Sequence, residues 1–507
     1  MMKPIISLLT INAAQRFGAS VALETDEATL TFKEVDDLAS RFASGLSERG
    51  IGRGDRVILH LPNDWQWVVA YYAIARVGAV VIPANFLLSI EEVAYIVADC
   101  QAKCFIGPSE RCARLGAVVG EGTTLTCLIH ANGSQKTSMH QGALTFDDLL
   151  ACKGMLPVDL EPGDLWTIAY TSGTTGAPKG AMLTHAAVFY SIAHSSTIHV
   201  RSEGERVISA LPFPHVYGNV VMNSCFLVGM ALITTRKFEV DWAFRKIQEK
   251  KATLFEGVPT MYHYMLGHPA VGDVDFSSLR RCTVGGQNMP VSKVEEIAEV
   301  FGCPLLELWG MTEVAGPATT HSPYLPSKPG SVGMPFPGLE VRVADCGDPG
   351  QVLSHGQTGE LQLRGVTVML GYYNNKDATE ASILPGGWLR TGDIATIDGQ
   401  GYIYIVDRLK DIIITAGYNI YPAEVEQALA KHPAVALSAV VSVADVMKGE
   451  LAKAFVVLRP GVSCSEEELM AHCKRELASY KVPRIIAFIE SLPVTSTGKI
   501  LRRALRG

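Results

Sequence analysis

The chain has 507 residues, of which 48% are apolar and 19% are charged, and its formal net charge is −7. This composition is typical of a globular protein with about three structural units, and it argues against a disordered chain. A general nucleic-acid binder is usually basic, so the acidic balance also argues against that class of partner.

The N-terminus and the most apolar region predict neither an export signal nor a membrane span. Pro4 and Ser7 interrupt the short apolar stretch at the start of the chain, which lacks the pattern of a secretory signal. Arg76 and Pro83 interrupt the apolar region 68–88, whereas a membrane span needs about twenty consecutive apolar residues. We therefore expect a buried helix followed by a buried strand there. The 11 cysteines show no metal-binding pattern and suggest reduced thiols in the cytoplasm.

Helical and strand patterns alternate over residues 1–150 and again over residues 164–323. We predict helices at 34–49 and 65–77 and strands at 55–61 and 79–82, while residues 120–141 read as a surface excursion. Such alternation indicates α/β layers with parallel strands. Between residues 330 and 407, short β-rich runs separated by Gly, Pro and Asp predict a small antiparallel sheet or barrel.

A mixed pattern returns after residue 411. It predicts helices at 424–431 and 466–477 and strands at 437–443 and 453–458. We therefore divide the chain into an N-terminal domain of residues 1–406, a hinge at 407–411 and a C-terminal domain of residues 412–507.

Residues 171–180 read TSGTTGAPKG and follow an apolar run that predicts a buried strand. Glycines permit a tight turn with exposed N–H groups, and hydroxyls and a lysine add further donors, all suited to phosphate oxygens. These candidate phosphate-binding residues are Thr171, Ser172, Gly173, Thr174, Thr175, Gly176 and Lys179. The segment does not follow the Walker A spacing, because Pro178 stands where a glycine is required. The alternative is a flexible Ser/Thr/Gly turn.

This loop resembles the signature loop of the adenylate-forming superfamily, which includes acyl-CoA synthetases, luciferases and peptide-synthetase adenylation domains. The resemblance implies an α/β fold with a large N-terminal domain of layered α/β subdomains and a small β-barrel-like part. A small, mobile α+β C-terminal domain would follow.

Residues 309–313 read WGMTE and resemble the family's aromatic-Gly-x-Thr-Glu segment. The resemblance implies that Trp309 stacks on adenine, Thr312 touches the α-phosphate and Glu313 helps to hold Mg²⁺, with Thr171 as a second ligand. A carboxylate beside a triphosphate needs an intervening cation. The usual aromatic residue is Tyr, so Trp309 departs from the pattern but keeps the stacking surface. By itself the segment also fits a buried Trp and an N-cap Thr.

Two further segments resemble the nucleotide-binding parts of the family. Residues 284–290 (VGGQNMP) imply adenine contacts from Gly286 and Gln287, although Gln287 is more often a small residue. Residues 388–393 (WLRTGD) imply that Asp393 holds the ribose hydroxyls. In the segment 407–411 (DRLKD), Arg408 would reach the ribose and Lys410 would be the pivot of the hinge.

The C-terminal part contains two matching loops. Residues 416–426 (AGYNIYPAEVE) resemble the loop that lines the pantetheine tunnel, with Gly417 at the closest approach. Residues 493–500 (PVTSTGKI) resemble the catalytic loop, which makes Lys499 the candidate catalytic lysine. The alternative for Lys499 is a solvated C-terminal cation.

The resemblance implies an acid–thiol ligase that uses ATP and Mg²⁺ to form an acyl-AMP and then an acyl-CoA. His215, in PFPHVYG, resembles the gate of the acyl pocket, with a structural histidine as the alternative. The apolar segment 220–233 would form a pocket-side helix and favours a medium- or long-chain fatty acid. Leu308 would narrow a pocket for a flat aryl group. A hydroxycinnamate-like aryl acid is therefore the second candidate substrate.

Other functions stay open at this stage. A luciferase or stand-alone adenylating enzyme would lack the coenzyme A step, and a non-catalytic sensor of nucleotides or acyl-adenylates would be expected to lose Lys499 or Glu313. The expected partners are a carboxylic acid, ATP and coenzyme A, without nucleic acid or an integral membrane segment. A homodimer stays open.

Overall fold

The computed structural model describes residues 3–119, 123–131, 144–171, 178–494 and 500–506. The α-helices of these residues are α1 Leu8–Phe17, α2 Phe32–Glu48, α3 Trp65–Arg76, α4 Ile90–Cys100, α5 Ser109–Val118, α6 Phe146–Leu150, α7 His185–Ile198, α8 Val216–Val228, α9 Val240–Lys250, α10 Pro259–Leu266, α11 Val291–Phe301, α12 Lys376–Ser382, α13 Pro422–Ala430 and α14 Glu466–Glu476. The strands are β1 Val21–Glu24, β2 Thr29–Thr31, β3 Arg56–Leu59, β4 Val80–Pro83, β5 Cys104–Pro108, β6 Cys127–Ala131, β7 Leu165–Thr171, β8 Lys179–Thr184, β9 Arg206–Ser209, β10 Ala231–Ile233, β11 Leu254–Gly257, β12 Arg281–Val284, β13 Leu305–Met311, β14 Gly316–Thr320, β15 Met334–Pro335, β16 Leu339–Ala344, β17 Gly359–Gly365, β18 Gly371–Tyr372, β19 Ile383–Leu384, β20 Trp388–Ile397, β21 Ile403–Arg408, β22 Ile413–Thr415, β23 Tyr418–Ile420, β24 Val435–Asp445, β25 Gly449–Leu458 and β26 Ile485–Phe488.

Two large sheets form the body of the molecule. One has the order β18-β8-β7-β4-β3-β5-β6, and the other has the order β15-β14-β13-β12-β11-β9-β10-β1-β2. Their central strands are parallel, and one continuous buried apolar cluster extends through both sheets and the helices between them. A smaller antiparallel sheet, β16-β17-β20-β19 with β21 beside β20, lies in the region predicted to be β-rich. The predicted α/β fold is confirmed.

The apolar region 68–88 forms a buried helix and a buried strand, as predicted. Asp64 caps α3 by accepting a hydrogen bond from the Trp65 N–H, and every residue from Gln66 to Arg76 is buried. Arg76 pairs with Asp36 on α2, which compensates the cost of burying its charge. No helix within the described ranges is long and apolar enough to cross a membrane.

Two local predictions were wrong. Residues 127–131 do not belong to a surface excursion but form β6, the edge strand beside β5, because Cys127, Ile129 and Ala131 alternate into the core. Residues 220–233 do not form a single helix. Helix α8 begins earlier, at Val216, and ends at Gly229, whose left-handed φ of 83° turns the chain into β10.

The C-terminal part has a sheet of its own, β23-β22-β25-β24 with β26 beside β25. Helices α13 and α14 contribute Val425 and Leu469 to a separate buried cluster beneath it. Strand β21 continues to Arg408, so the hinge that we predicted at 407–411 begins inside a strand and continues as a single 3-10 turn, Leu409–Asp411. The division into domains stays a prediction.

Candidate active site

Several of the predicted site residues follow the carboxyl ends of neighbouring parallel strands. Strands β9, β11, β12 and β13 are adjacent in the nine-stranded sheet. Gly286 follows β12, Thr312 and Glu313 follow β13, and His215 lies in the loop after β9. Ligands of open α/β sheets bind in the crevice outside these strand ends. The fold therefore gathers residues that are separated by up to about a hundred positions in the sequence.

Trp309, Asp393 and Arg408 form one hydrogen-bonded cluster. The Trp309 Nε1–H donates to Asp393 Oδ2 at 2.8 Å, and Arg408 Nε lies 3.0 Å from Asp393 Oδ1. Asp393 and Arg408 are direct partners across the antiparallel pair β20–β21, which explains their approach. Trp309 and Asp393 are buried, whereas the Arg408 side chain is half exposed. Three residues that we assigned to adenine and ribose thus lie in contact.

Glu313, Tyr372 and Lys179 form a second cluster. The Tyr372 hydroxyl donates to Glu313 Oε1 at 2.8 Å, and Lys179 Nζ lies 5.3 Å from the centre of the Tyr372 ring. Burial, together with the Glu313 charge, raises the pKa of Tyr372, so the phenol stays protonated and donates. Sequence reasoning missed Tyr372, because only the pairing of β18 with β8 brings it here.

The residues on either side of the predicted phosphate loop, Thr171 and Lys179, pair with each other. Thr171 and Lys179 are partners in the antiparallel pair β7–β8, and the Thr171 hydroxyl donates to the Lys179 carbonyl at 3.4 Å. Ser172, Gly173, Thr174, Thr175 and Gly176 lie outside the described residues.

Gln287 lines a small cavity, and Gly286 precedes it in the chain. Gly286 has a φ of 92°, which a residue with a Cβ rarely adopts. Gln287 lines the cavity together with Glu307 and Gln427, and Gln427 comes from α13 in the C-terminal part. Burial raises the pKa of Glu307 to about 8, although its Oε2 accepts a hydrogen bond from the Gly330 N–H at 3.1 Å. Sequence reasoning also missed Glu307.

His215 is the N-cap of α8. Its Nδ1 accepts a hydrogen bond from the Tyr217 N–H at 3.3 Å, and its side chain is half-buried. This contact fits the structural alternative and leaves the gating role untested. The same helix packs against Gly316, where a Cβ would lie 3.1 Å from Val220 Cγ2, so the helix start lies beside the loop after Glu313.

The three predicted site residues of the C-terminal part, Gly417, Lys410 and Lys499, are not shown in contact with the two clusters described above. Gly417 has a φ of 85° at the tip of the β22–β23 hairpin, where a Cβ would meet no atom within 4 Å. Lys410 lies exposed in the 3-10 turn. Lys499 lies outside the described residues, but the two residues that flank its loop, Val494 and Ile500, pair as an antiparallel bridge.

Comparisons with known proteins cover both parts of the chain. Residues 11–373 match the family described as AMP-binding enzyme, and residues 424–499 match the AMP-binding enzyme C-terminal domain. A long-chain-fatty-acid–CoA ligase of Bacillus subtilis (strain 168) is 35% identical, over 99% of this chain and 94% of the relative. A feruloyl-CoA synthase of Amycolatopsis sp is 34% identical, over 98% of this chain and 97% of the relative. The crystal structure of the anthranilate CoA ligase AuaEII with anthranoyl-AMP superimposes with a TM-score of 0.91 at 27% identity, over 99% of this chain and 98% of that one.

Proposed function

The chain belongs to the AMP-binding enzyme family, and from this premise we propose that it is an AMP-forming acid–CoA ligase. The family resemblance read from the sequence is thereby confirmed, and the ligase activity agrees with the names of the relatives. The enzyme uses ATP to convert a carboxylic acid into an acyl-AMP and then transfers the acyl group to coenzyme A. The observation that carries this proposal is the contact of Trp309 with Asp393, which also pairs with Arg408.

In the proposed complex with ATP, Asp393 holds the ribose. A carboxylate offers about four lone-pair positions. Trp309 and Arg408 occupy two of them, which leaves two for the ribose hydroxyls. The hydrogen bond from Trp309 also orients its indole ring, so that one ring face is available to adenine.

The second cluster fits Mg²⁺ and the phosphates. Proteins usually hold Mg²⁺ through one or two carboxylates together with substrate phosphates. The buried Glu313 provides one carboxylate, and because the Thr171 hydroxyl donates to a carbonyl, its lone pairs stay available as a ligand. Bound Mg²⁺ supplies charge neutralisation for the triphosphate. Lys179 adds a cation at the base of the phosphate loop.

The acid carboxylate attacks the α-phosphorus, and pyrophosphate leaves. Thr312 and Lys499 are our candidates for neutralising the charge that develops on the α-phosphate and the carboxylate. In the second step the thiolate of coenzyme A attacks the acyl carbonyl, and AMP leaves. For this step we propose that the C-terminal part rotates about Lys410 and brings Gly417 to the pantetheine path.

We propose a medium- or long-chain fatty acid as the substrate. Leu308 supports this choice, because a Cβ on Gly285 would lie 2.3 Å from Leu308 Cδ1. The leucine side chain thus covers Gly285, where a flat aromatic acid would need an open slot. An aryl acid is the second candidate, which the feruloyl-CoA synthase relative favours.

The test is pyrophosphate release across a panel of aliphatic and aryl acids with Mg-ATP, with and without coenzyme A. We expect the highest kcat/KM with an aliphatic acid and AMP release that depends on coenzyme A. Pyrophosphate release without any thioester would indicate a stand-alone adenylating enzyme. No turnover with any acid would indicate a sensor and would refute the proposal.

A further inference from the structure

A buried chain of hydrogen bonds lies behind the candidate active site. Its members come from α8, β12, β11, the end of α7 and β14, and all are at most 6% exposed. In order, they are Tyr217, Thr283, Glu256, Arg201, His199 and Thr320, and we call them the buried chain.

The direction of each hydrogen bond in the first half follows from counting protons. The Thr283 hydroxyl donates to Glu256 Oε2 at 2.9 Å, and a hydroxyl has a single proton. Tyr217, whose oxygen lies 2.5 Å from Thr283 Oγ1, must therefore donate to Thr283. Arg201 Nη2 in turn donates to Glu256 Oε2 at 3.0 Å and lies 2.8 Å from Oε1 of the same carboxylate. Tyr217 is thus tied to a buried charge through one hydroxyl.

The second half is ordered in the same way. The Thr320 hydroxyl donates to the Glu307 carbonyl at 3.2 Å, so it accepts the proton of His199 Nε2, which lies 2.8 Å away. His199 Nδ1 then accepts from Arg201 at 3.4 Å. Burial lowers the pKa of His199, in agreement with this neutral tautomer. The chain therefore extends from the first turn of α8 to the strand that carries Trp309.

Two features of the buried chain are costly for stability. Arg201 Nε and Nη1 have no hydrogen-bond partner among the described residues, and buried ion pairs are seldom net stabilising. Val200, between His199 and Arg201, has a φ of 55°, in the position after a helix where glycine is usual. Both neighbouring side chains, His199 and Arg201, are buried. Strained backbone of this kind is concentrated at functional sites.

We propose that the buried chain is a positioning device that sets the acid-side helix α8 relative to the nucleotide-side strand β13. This inference rests on the proposed function, because His215, the N-cap of α8, resembles the gate of the acyl pocket and would lie beside the acid. The acid carboxylate and the α-phosphorus must meet in line, and small displacements of two bound reactants reduce the rate steeply. A displacement of α8 relative to β13 should therefore lower kcat. The KM for each substrate should change little, because each substrate keeps its own contacts.

The test uses hydroxyl deletions that preserve shape, because loss of Arg201 or Glu256 would leave an unpaired buried charge. In ATP–pyrophosphate exchange we expect Thr283→Val to lower kcat at least tenfold, with KM for ATP within twofold of wild type. Thr283→Ser, which keeps the hydroxyl, should recover kcat to within threefold. Thr320→Val should reproduce the loss from the other end of the buried chain.

The double variant Thr283→Val/Thr320→Val shows whether the two hydroxyls act through one connected chain or independently of each other. If the buried chain acts as a unit, the double variant is no slower than the slower single variant. Multiplied losses would overturn the inference. The single variants could instead unfold at a lower temperature and keep kcat per folded molecule within twofold of wild type. That result would show that the buried chain serves stability alone, and it would also overturn the inference. An inactive wild type would instead refute the proposed function.

Discussion

Replacing Glu307 by glutamine should remove a pH-dependent destabilisation of the N-terminal part. The carboxyl is 6% exposed, and burial raises its pKa to about 8. Oε2 accepts from the Gly330 N–H, and the cavity beside it is lined by amide side chains, including Gln287. Because glutamine has the shape of the neutral acid, Glu307→Gln should keep these contacts at every pH.

The sign and size follow from proton linkage. Well below pH 4.5 the carboxyl is protonated in both folded and unfolded chains, and it makes no pH-dependent contribution to stability. Between the unfolded pKa of 4.5 and the folded pKa of about 8, only the unfolded chain ionises, so the free energy of unfolding falls as pH rises. Each pKa unit corresponds to about 1.4 kcal/mol, which gives a total loss of about 5 kcal/mol by pH 8. The variant should therefore gain on wild type by about 1.4 kcal/mol per pH unit between pH 5 and 8.

Urea unfolding at pH 5, 6, 7, 8 and 9, followed by tryptophan fluorescence, measures this difference. All 6 tryptophans precede residue 389, so their emission reports on the part that contains Glu307. Glu299→Gln, at an exposed position of α11, is the control and should change the free energy of unfolding by less than about 0.5 kcal/mol throughout. A constant difference between Glu307→Gln and wild type from pH 5 to 9 would refute the argument.

Asp393→Asn should lower kcat/KM for ATP about 30- to 150-fold, since two charge-assisted hydrogen bonds are weakened at a cost of about 2–3 kcal/mol; Asp377→Asn, at an exposed position of α12, is the control, and equal ATP dependence of the two variants would contradict the ribose assignment. Lys499→Ala should abolish acyl-AMP formation but spare thioester formation from supplied acyl-AMP, and assays of the two half-reactions would show an equal loss if the role is wrong. Gly417→Leu should impair the coenzyme A step and leave ATP–pyrophosphate exchange near normal, because a Cβ at the hairpin tip meets no atom of the described residues within 4 Å and a side chain there would crowd only the proposed pantetheine path; normal turnover with coenzyme A would remove that assignment. Lys410→Pro should preserve ATP–pyrophosphate exchange while acyl-CoA formation falls steeply, because proline restricts φ at the hinge, and identical behaviour of Lys410→Ala would show that rotation is not involved.

The sequence alone predicted the family and the fold class, which are confirmed, and it supplied most of the residues proposed for the candidate site. Local patterns carried this information: the phosphate loop after an apolar strand, the segment from Trp309 to Glu313, and the Asp393 segment each contain their chemistry within a few neighbouring residues. Such patterns can be recognised without knowledge of the fold, because residues that are adjacent in a turn of the chain are also adjacent in space. The buried helix α3 and strand β4 were predictable for a similar reason, since periodicity and length are local properties.

Only the tertiary structure placed Tyr372 against Glu313 and connected Tyr217 to the strand of Trp309. Tyr372 lies in a two-residue strand that pairs with β8, and so short a strand has no pattern by which it could be predicted from the sequence. The edge strand β6 was missed because a five-residue run decides little until its partner β5 is known. The raised pKa of Glu307 likewise depends on burial by residues distant in sequence. Hydrogen-bond partners and desolvation are properties of the packed chain, and they arise only when separate elements bury the same groups.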